Sequence, residues 1–173
     1  PERPKFELPL PPNWQDVDAL YINSSTEGAA SWAKTAMNHC WVVAQLAKDQ
    51  RSRPCHILIA SLSDMEGRCD GEPWLFAQSI AGDKLKYFVV TDGENGATLY
   101  SEKETKRVAA IPSDVIDTRG AGDAYAAGLI HGLVRQQSIL GSMQEAAVWS
   151  GFAVACNSSI PGKGLKHYLT ETP

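Results

Sequence analysis

Apolar and polar positions alternate along this chain in a way that predicts short buried strands between helices. Val17 to Asn23 reads as a buried strand, and His56 to Ala60 is a β-branched run of the same kind. Lys86 to Thr91 and Ala97 to Tyr100 form two further strands across the turn Asp92 to Gly96, a hairpin-like arrangement. Arg107 to Ile111 reads as another strand, after a charged surface turn at Ser101 to Thr105. Helical spacing is longest over Glu27 to Gln50, which puts Trp32 and Trp41 on one helix as packing residues. It recurs from Ala124 to Arg135, where Tyr125, Leu129, Ile130, Leu133 and Val134 are the apolar positions, and from Met143 to Cys156. Residues 62–84 lack a clean period and read as an inserted loop or a short helix, Trp74 to Ile80. Ser158 to Gly164 reads as a loop, followed by a short tail. Strands alternating with helices imply an α/β fold with a largely parallel sheet and helices on both faces.

Residues 1–13 hold five of the ten prolines and suit neither a helix nor a central strand. Residues 1–16 are therefore expected to be an arm or linker, and 17–173 the folded domain. A start at Pro1 without methionine fits a fragment or a processed product. At 173 residues with 43% hydrophobic and 21% charged content, the chain can bury a real core. Its net charge of -4 argues against a general nucleic-acid binder. No apolar run has the length of a membrane span, and no signal-peptide pattern opens the chain. Cys40, Cys55, Cys69 and Cys156 are scattered, which suits reduced thiols in a cytoplasmic protein. The four histidines share no metal-like spacing.

The densest chemistry lies at residues 117–128, DTRGAGDAYAAG. Gly120 and Gly122 free the backbone for a sharp turn just before a helix. The first N–H groups of that helix lack internal partners and carry the positive end of its dipole. Such a place attracts anions, so the carboxylate of Asp123 within it calls for a reason. Either Asp123 is a base beside a reacting anion, or it caps the helix.

DTRGAGDAYAAG resembles the second signature of the ribokinase-like (PfkB) carbohydrate and nucleoside kinases, D-T-x-G-A-G-D-x-[FY], with Asp117, Thr118, Gly120, Ala121, Gly122, Asp123 and Tyr125 in place. Upstream, VVTDGENGATLY is similar to the family's T-x-G-x-x-G nucleotide turn, carried by Thr91, Gly93 and Gly96. The resemblance implies a three-layer αβα fold whose first half, with most sugar contacts, is absent from this chain. It implies transfer of the γ-phosphoryl group of ATP, with Mg2+, to a hydroxymethyl group of a sugar or nucleoside. Asp123 would be the general base, and Gly120, Ala121 and Gly122 the anion hole. Asp117 would help hold a monovalent cation such as K+, or else cap its loop. Asn23 and Glu27 would stand for the family's Asn-x-x-Glu element for phosphate and magnesium, although they are one residue too far apart and Thr26 fills the acid's place. Arg119 stands where threonine is common. The partners implied are small-molecule sugars or nucleosides, with no nucleic acid or membrane, and a homodimer is open for the full-length protein. Two rivals remain: a non-catalytic nucleotide-binding or scaffold module derived from such a kinase, and an unrelated anion-binding α/β domain.

Overall fold

In the computed structural model, residues 13–23, 27–49, 51–157 and 162–171 are described, the side chain of Glu27 excepted. The expected proline-rich arm falls mostly on residues 1–12, outside the described residues. Trp14, at the end of the expected arm, is buried in a short 3-10 turn, and its ring meets Trp32 edge to face at 5.7 Å between centroids.

The strands β1 (Ala19–Ile22), β2 (Trp41–Gln45), β3 (Ile57–Ser61), β4 (Tyr87–Thr91), β5 (Ala97–Tyr100) and β6 (Thr105–Val108) hydrogen-bond in the order of the chain. β1 with β2 and β2 with β3 are parallel, in the registers Ala19 to Trp41 and Val43 to Ile57. The helices are α1 (Glu27–Ala36), α2 (Leu62–Met65), α3 (Pro73–Ala81), α4 (Ala121–Val134), α5 (Ile139–Val154) and α6 (Lys163–Glu171). The chain divides into two units, 1–90 with 99–105 and 91–98 with 106–173.

The first unit is built on its parallel strands. Val42, Ala44, Leu58, Ala60, Phe88 and Val90 pack in one cluster with Ala29, Ala33 and Ala36 of α1 and Ala77 and Ala81 of α3. Alanines on both helices let them lie close to the sheet. The alternate residues Val43, Ile57, Ile59 and Val89 are also almost fully buried, so both sheet faces are covered, as parallel strands require. His56 is buried at the start of β3 and accepts a hydrogen bond from the Val42 N–H through Nδ1, at 3.2 Å. Burial, then Lys86 and Lys84, hold its pKa below the ordinary value.

The second unit is dominated by α4 packed on α5. A Cβ on Gly128 would stand 2.8 Å from Ala146 Cα, and one on Gly132 would stand 2.7 Å from Ser142 Cα. The two helices therefore touch backbone to backbone. Ser138 caps α5 by accepting from the Gly141 N–H at 3.1 Å. On the outer side, Glu145 accepts from Trp149 Nε1 at 2.8 Å and from the Tyr168 hydroxyl at 2.8 Å, with His131 Nδ1 at 3.1 Å. One carboxylate thus joins α4, α5 and α6.

Four expectations are corrected. The 27–50 helix stops at Ala36, where the His39 and Cys40 N–H groups both turn back to the Ala36 carbonyl. Trp41 consequently lies on β2. Because WVVAQLA is apolar at every position but Gln45, spacing alone could not separate helix from buried strand. Residues 62–84 hold a second helix besides the one expected at Trp74 to Ile80, which is α3: this is α2, opened by a capping box between Ser61 and Asp64. The strand expected at 107–111 is β6, shifted to Thr105–Val108. Lys163 onward is helical, not loop and tail: Leu165 is buried, and Tyr168 stacks near Phe152 at 5.9 Å.

Candidate active site

The glycine-rich stretch folds as a helix start. Gly120 is the N-cap of α4, in the left-handed region at φ 77° and ψ -2°. Glycine takes this conformation without the penalty a Cβ would bring. Ala121, Gly122 and Asp123 are then the first three helical residues. Ala121 N donates back to the Thr118 carbonyl at 3.3 Å and Ala124 N to the Gly120 carbonyl at 2.9 Å, which winds the turn into the helix. Asp123 is exposed in the first turn, three residues after the N-cap Gly120. Among the described residues, nothing lies within 4 Å of where a Gly122 side chain would be. That space is open at the positive end of a 14-residue helix.

The second motif is a tight hairpin tip. Gly93–Asn95 forms one 3-10 turn, the Asp92 N–H donates to the Gly96 carbonyl at 2.7 Å, and Asn95 Nδ2 to Asp92 Oδ2 at 3.2 Å. Gly93 and Gly96 both have positive φ, 49° and 88°. At Gly96 the need is also steric, since a Cβ would run into the backbone of residues 108–110. The glycine therefore lets the hairpin lie on its neighbouring strand.

These two motifs line one cleft of about 540 Å3, within the second unit. That volume suits a small organic ligand. The hairpin tip contributes Thr91, Gly93, Glu94, Gly96 and Ala97, and the helix start contributes Thr118, Ala121, Gly122 and Tyr125. An apolar strip, Val108, Ala110, Ile111, Pro112 and Val115, and the α5 face Ala147, Ser150, Gly151 and Val154 complete it. Ile111 and Val115 are 45% and 64% exposed, large apolar side chains facing open space. Tyr125 is buried, and that burial pushes its hydroxyl pKa up. The cleft thus offers open amides at one end and an apolar slot with a few hydroxyls elsewhere.

Of the expected site residues, Thr91, Gly93, Gly96, Ala121 and Gly122 meet in this cleft, with Gly120 and Asp123 next to them in sequence. Asn23 and Glu27 belong to the first unit: Asn23 is exposed after β1, and Glu27 opens α1. Asp117 lies just before the helix start, its side chain 13% exposed, and holds Arg119. Arg119 Nη2 lies 2.6 Å from Oδ2, Nε lies 2.8 Å from Oδ2 and 3.1 Å from Oδ1, and the Arg119 backbone N–H donates to Oδ1 at 2.9 Å. These bonds hold the Asp117 carboxyl below its usual range and push the guanidinium up. Among the described residues, no group of three His, Cys, Asp or Glu is placed to hold a metal ion, and no helix is long and apolar enough to cross a membrane. Glu94 and the α5 face are additions that the motifs did not supply. Their only trace in the sequence is the 147, 150, 151, 154 spacing of small residues on one helix face.

The pfkB carbohydrate kinase family model matches residues 29–163, a span that contains both motifs and both helices of the cleft. The chain belongs to the pfkB family of carbohydrate kinases. It is 37% identical over 94 residues to probable fructokinase-5 of Arabidopsis thaliana, covering 53% of this chain and 28% of that protein. The adenosine kinase of Sinorhizobium meliloti superposes with a TM-score of 0.74 at 20% identity, over 92% of this chain and 56% of that one. The ribokinase of Arabidopsis thaliana, solved with ribose and ATP, superposes with a TM-score of 0.72 at 17% identity, over 92% of this chain and 58% of that one. The fold is ribokinase-like, as the sequence implied. The chain spans little more than half the length of the pfkB-type structures it matches.

Proposed function

We propose that this chain is the nucleotide-binding and phosphoryl-transfer part of a kinase that phosphorylates a hydroxymethyl group of a sugar or nucleoside with ATP. The observation that carries the reading is the convergence of the Thr91–Gly96 tip and the Ala121–Gly122 helix start on one cleft. In this reading the base and ribose of ATP lie along the apolar strip and the hairpin tip. The phosphates face the amides opened by Gly120 and Gly122, where losing one aligned donor costs roughly 10²-fold or more.

The acceptor oxygen attacks the γ-phosphorus as the bond to the β-phosphate oxygen breaks, and ADP leaves. Asp123 accepts the hydroxyl proton, a role worth ~10²–10⁴-fold. Asp123 is exposed in the first turn of α4, next in sequence to Gly122 of the cleft, which suits that task. Magnesium, when bound with ATP, neutralises phosphate charge. Asn23 and Glu27 are proposed for that role on the resemblance alone. The named relatives include kinases of sugars and of a nucleoside, which supports the substrate class and no narrower choice. A cytoplasmic location, and pairing as a homodimer at full length, belong to the same proposal.

The chain by itself is expected to bind ATP and to transfer little. The test is Asp123→Asn in a protein extended to the full length of its relatives. Turnover falls by about 10²–10⁴-fold while ATP affinity stays within a few-fold. Unchanged turnover would remove Asp123 from the mechanism.

A further inference from the structure

The family resemblance places a monovalent cation at Asp117, and among the described residues the donor atoms there do not fit one. Both carboxylate oxygens are already engaged by Arg119, Oδ1 by the backbone N–H and Nε, Oδ2 by Nε and Nη2. The loop is also tied to α5, since the Ile116 and Asp117 N–H groups both donate to the Val154 carbonyl, at 2.8 and 3.2 Å. A weakly held monovalent ion needs several oxygens free of other donors, and it would have to share one carboxylate with a guanidinium of the same charge.

We infer that Arg119 is the resident cation of this loop: its guanidinium occupies Asp117 in place of a monovalent ion, and the helix start is held without one. The arrangement is local, since the two residues are two positions apart and the Arg119 N–H closes the turn on the same carboxylate. Arginine suits the role because its planar fork matches a carboxylate and stays charged at any working pH. The fork also leaves Nη1 outside the bonds to Asp117, on a side chain that is 78% exposed. The loop therefore keeps one fixed positive charge beside the helix start, where a potassium-loaded site would carry an exchangeable one.

The inference rests on reading DTRGAGD as a phosphoryl-transfer loop, but its test needs no nucleotide, so the two can fail separately. Thallium-205 NMR, with Tl+ standing for K+, is run on the whole chain and on Arg119→Ala and Asp117→Asn. Thermal melting is measured in potassium against tetramethylammonium chloride at equal ionic strength. The wild type is expected to show no saturable Tl+ binding and the same Tm in both salts. Arg119→Ala, a change at an exposed side chain, is expected to gain a potassium-dependent rise of roughly 2–4 °C, as a ligand of the folded state produces. Saturable Tl+ binding by the wild type that Asp117→Asn abolishes would overturn the inference. So would an Arg119→Ala variant whose Tm ignores potassium.

Discussion

The backbone nitrogen of Ala110 stands 2.7 Å from where a side chain on Gly96 would begin, so the hairpin tip and the strip after β6 are in direct main-chain contact. That contact brings the Thr91–Gly96 turn against one wall of the cleft. It also makes the two glycines of the turn unequal, although both have positive φ.

Gly96→Ala is expected to destabilise the chain by about 3 kcal/mol or more, combining a left-handed φ with an overpacked contact that neither backbone can relieve. Gly93→Ala, with nothing within 4 Å of its Cβ among the described residues, carries only the conformational penalty, about 1 kcal/mol. Urea denaturation of the two variants checks the difference. Equal losses would show that the 96 to 110 contact is not what fixes the turn.

A similar close contact governs the helices behind the cleft. Gly132→Val would force a branched side chain against Ser142, whose Cα lies 2.7 Å from the Cβ position. The expected cost is about 2–4 kcal/mol, from overpacking between two backbones. The lowered unfolding midpoint should be accompanied by altered amide shifts at Ala147, Ser150 and Gly151, which carry the α5 wall.

Acidification should weaken the first unit before it reaches the carboxylates. His56 is buried and neutral, accepts from Val42, and has a folded pKa held below the ordinary 6.5. The unfolded chain therefore binds a proton that the folded chain refuses, and stability falls as pH drops below about 6.5. Asp117 acts later: its carboxyl is held down by Arg119, so its contribution is present above the ordinary 3.8 and is lost below it. Melting curves between pH 7.5 and pH 5 should show a falling Tm in the wild type. His56→Gln, which keeps an acceptor but does not titrate, should flatten that slope.

The parts of this protein that were legible in its sequence are those whose chemistry is local. A glycine before a small-residue helix, or two glycines three apart between strands, constrains the backbone whatever lies around it; both stretches turn at their glycines, although α4 begins at Ala121 rather than the expected Ala124. The 27–50 stretch failed for the opposite reason. Only burial on all sides decides that Val42, Val43 and Ala44 form a strand, and burial is a property of the assembled sheet. Helix α6 buries Leu165 and is held by Tyr168 against Glu145 and Phe152 of α5, distant in sequence, so its short pattern looked like a tail. The α5 wall is made of small residues that carry no chemistry of their own. The Asp117–Arg119 pair depends on a side-chain rotamer, which the two residue types at that spacing do not fix.

The central claim, that the hairpin tip and the α4 start form a nucleotide cleft, is tested most directly by calorimetric titration of this chain with magnesium and ATP. Gly122→Val serves as the control, because its side chain would enter the open space at the helix start, at a cost to folding of about 1 kcal/mol or less. The wild type is expected to bind ATP saturably below millimolar concentration, and the folded variant to bind at least about tenfold more weakly. No heat of binding by the wild type at millimolar ATP, or an affinity that Gly122→Val leaves unchanged, would contradict the account.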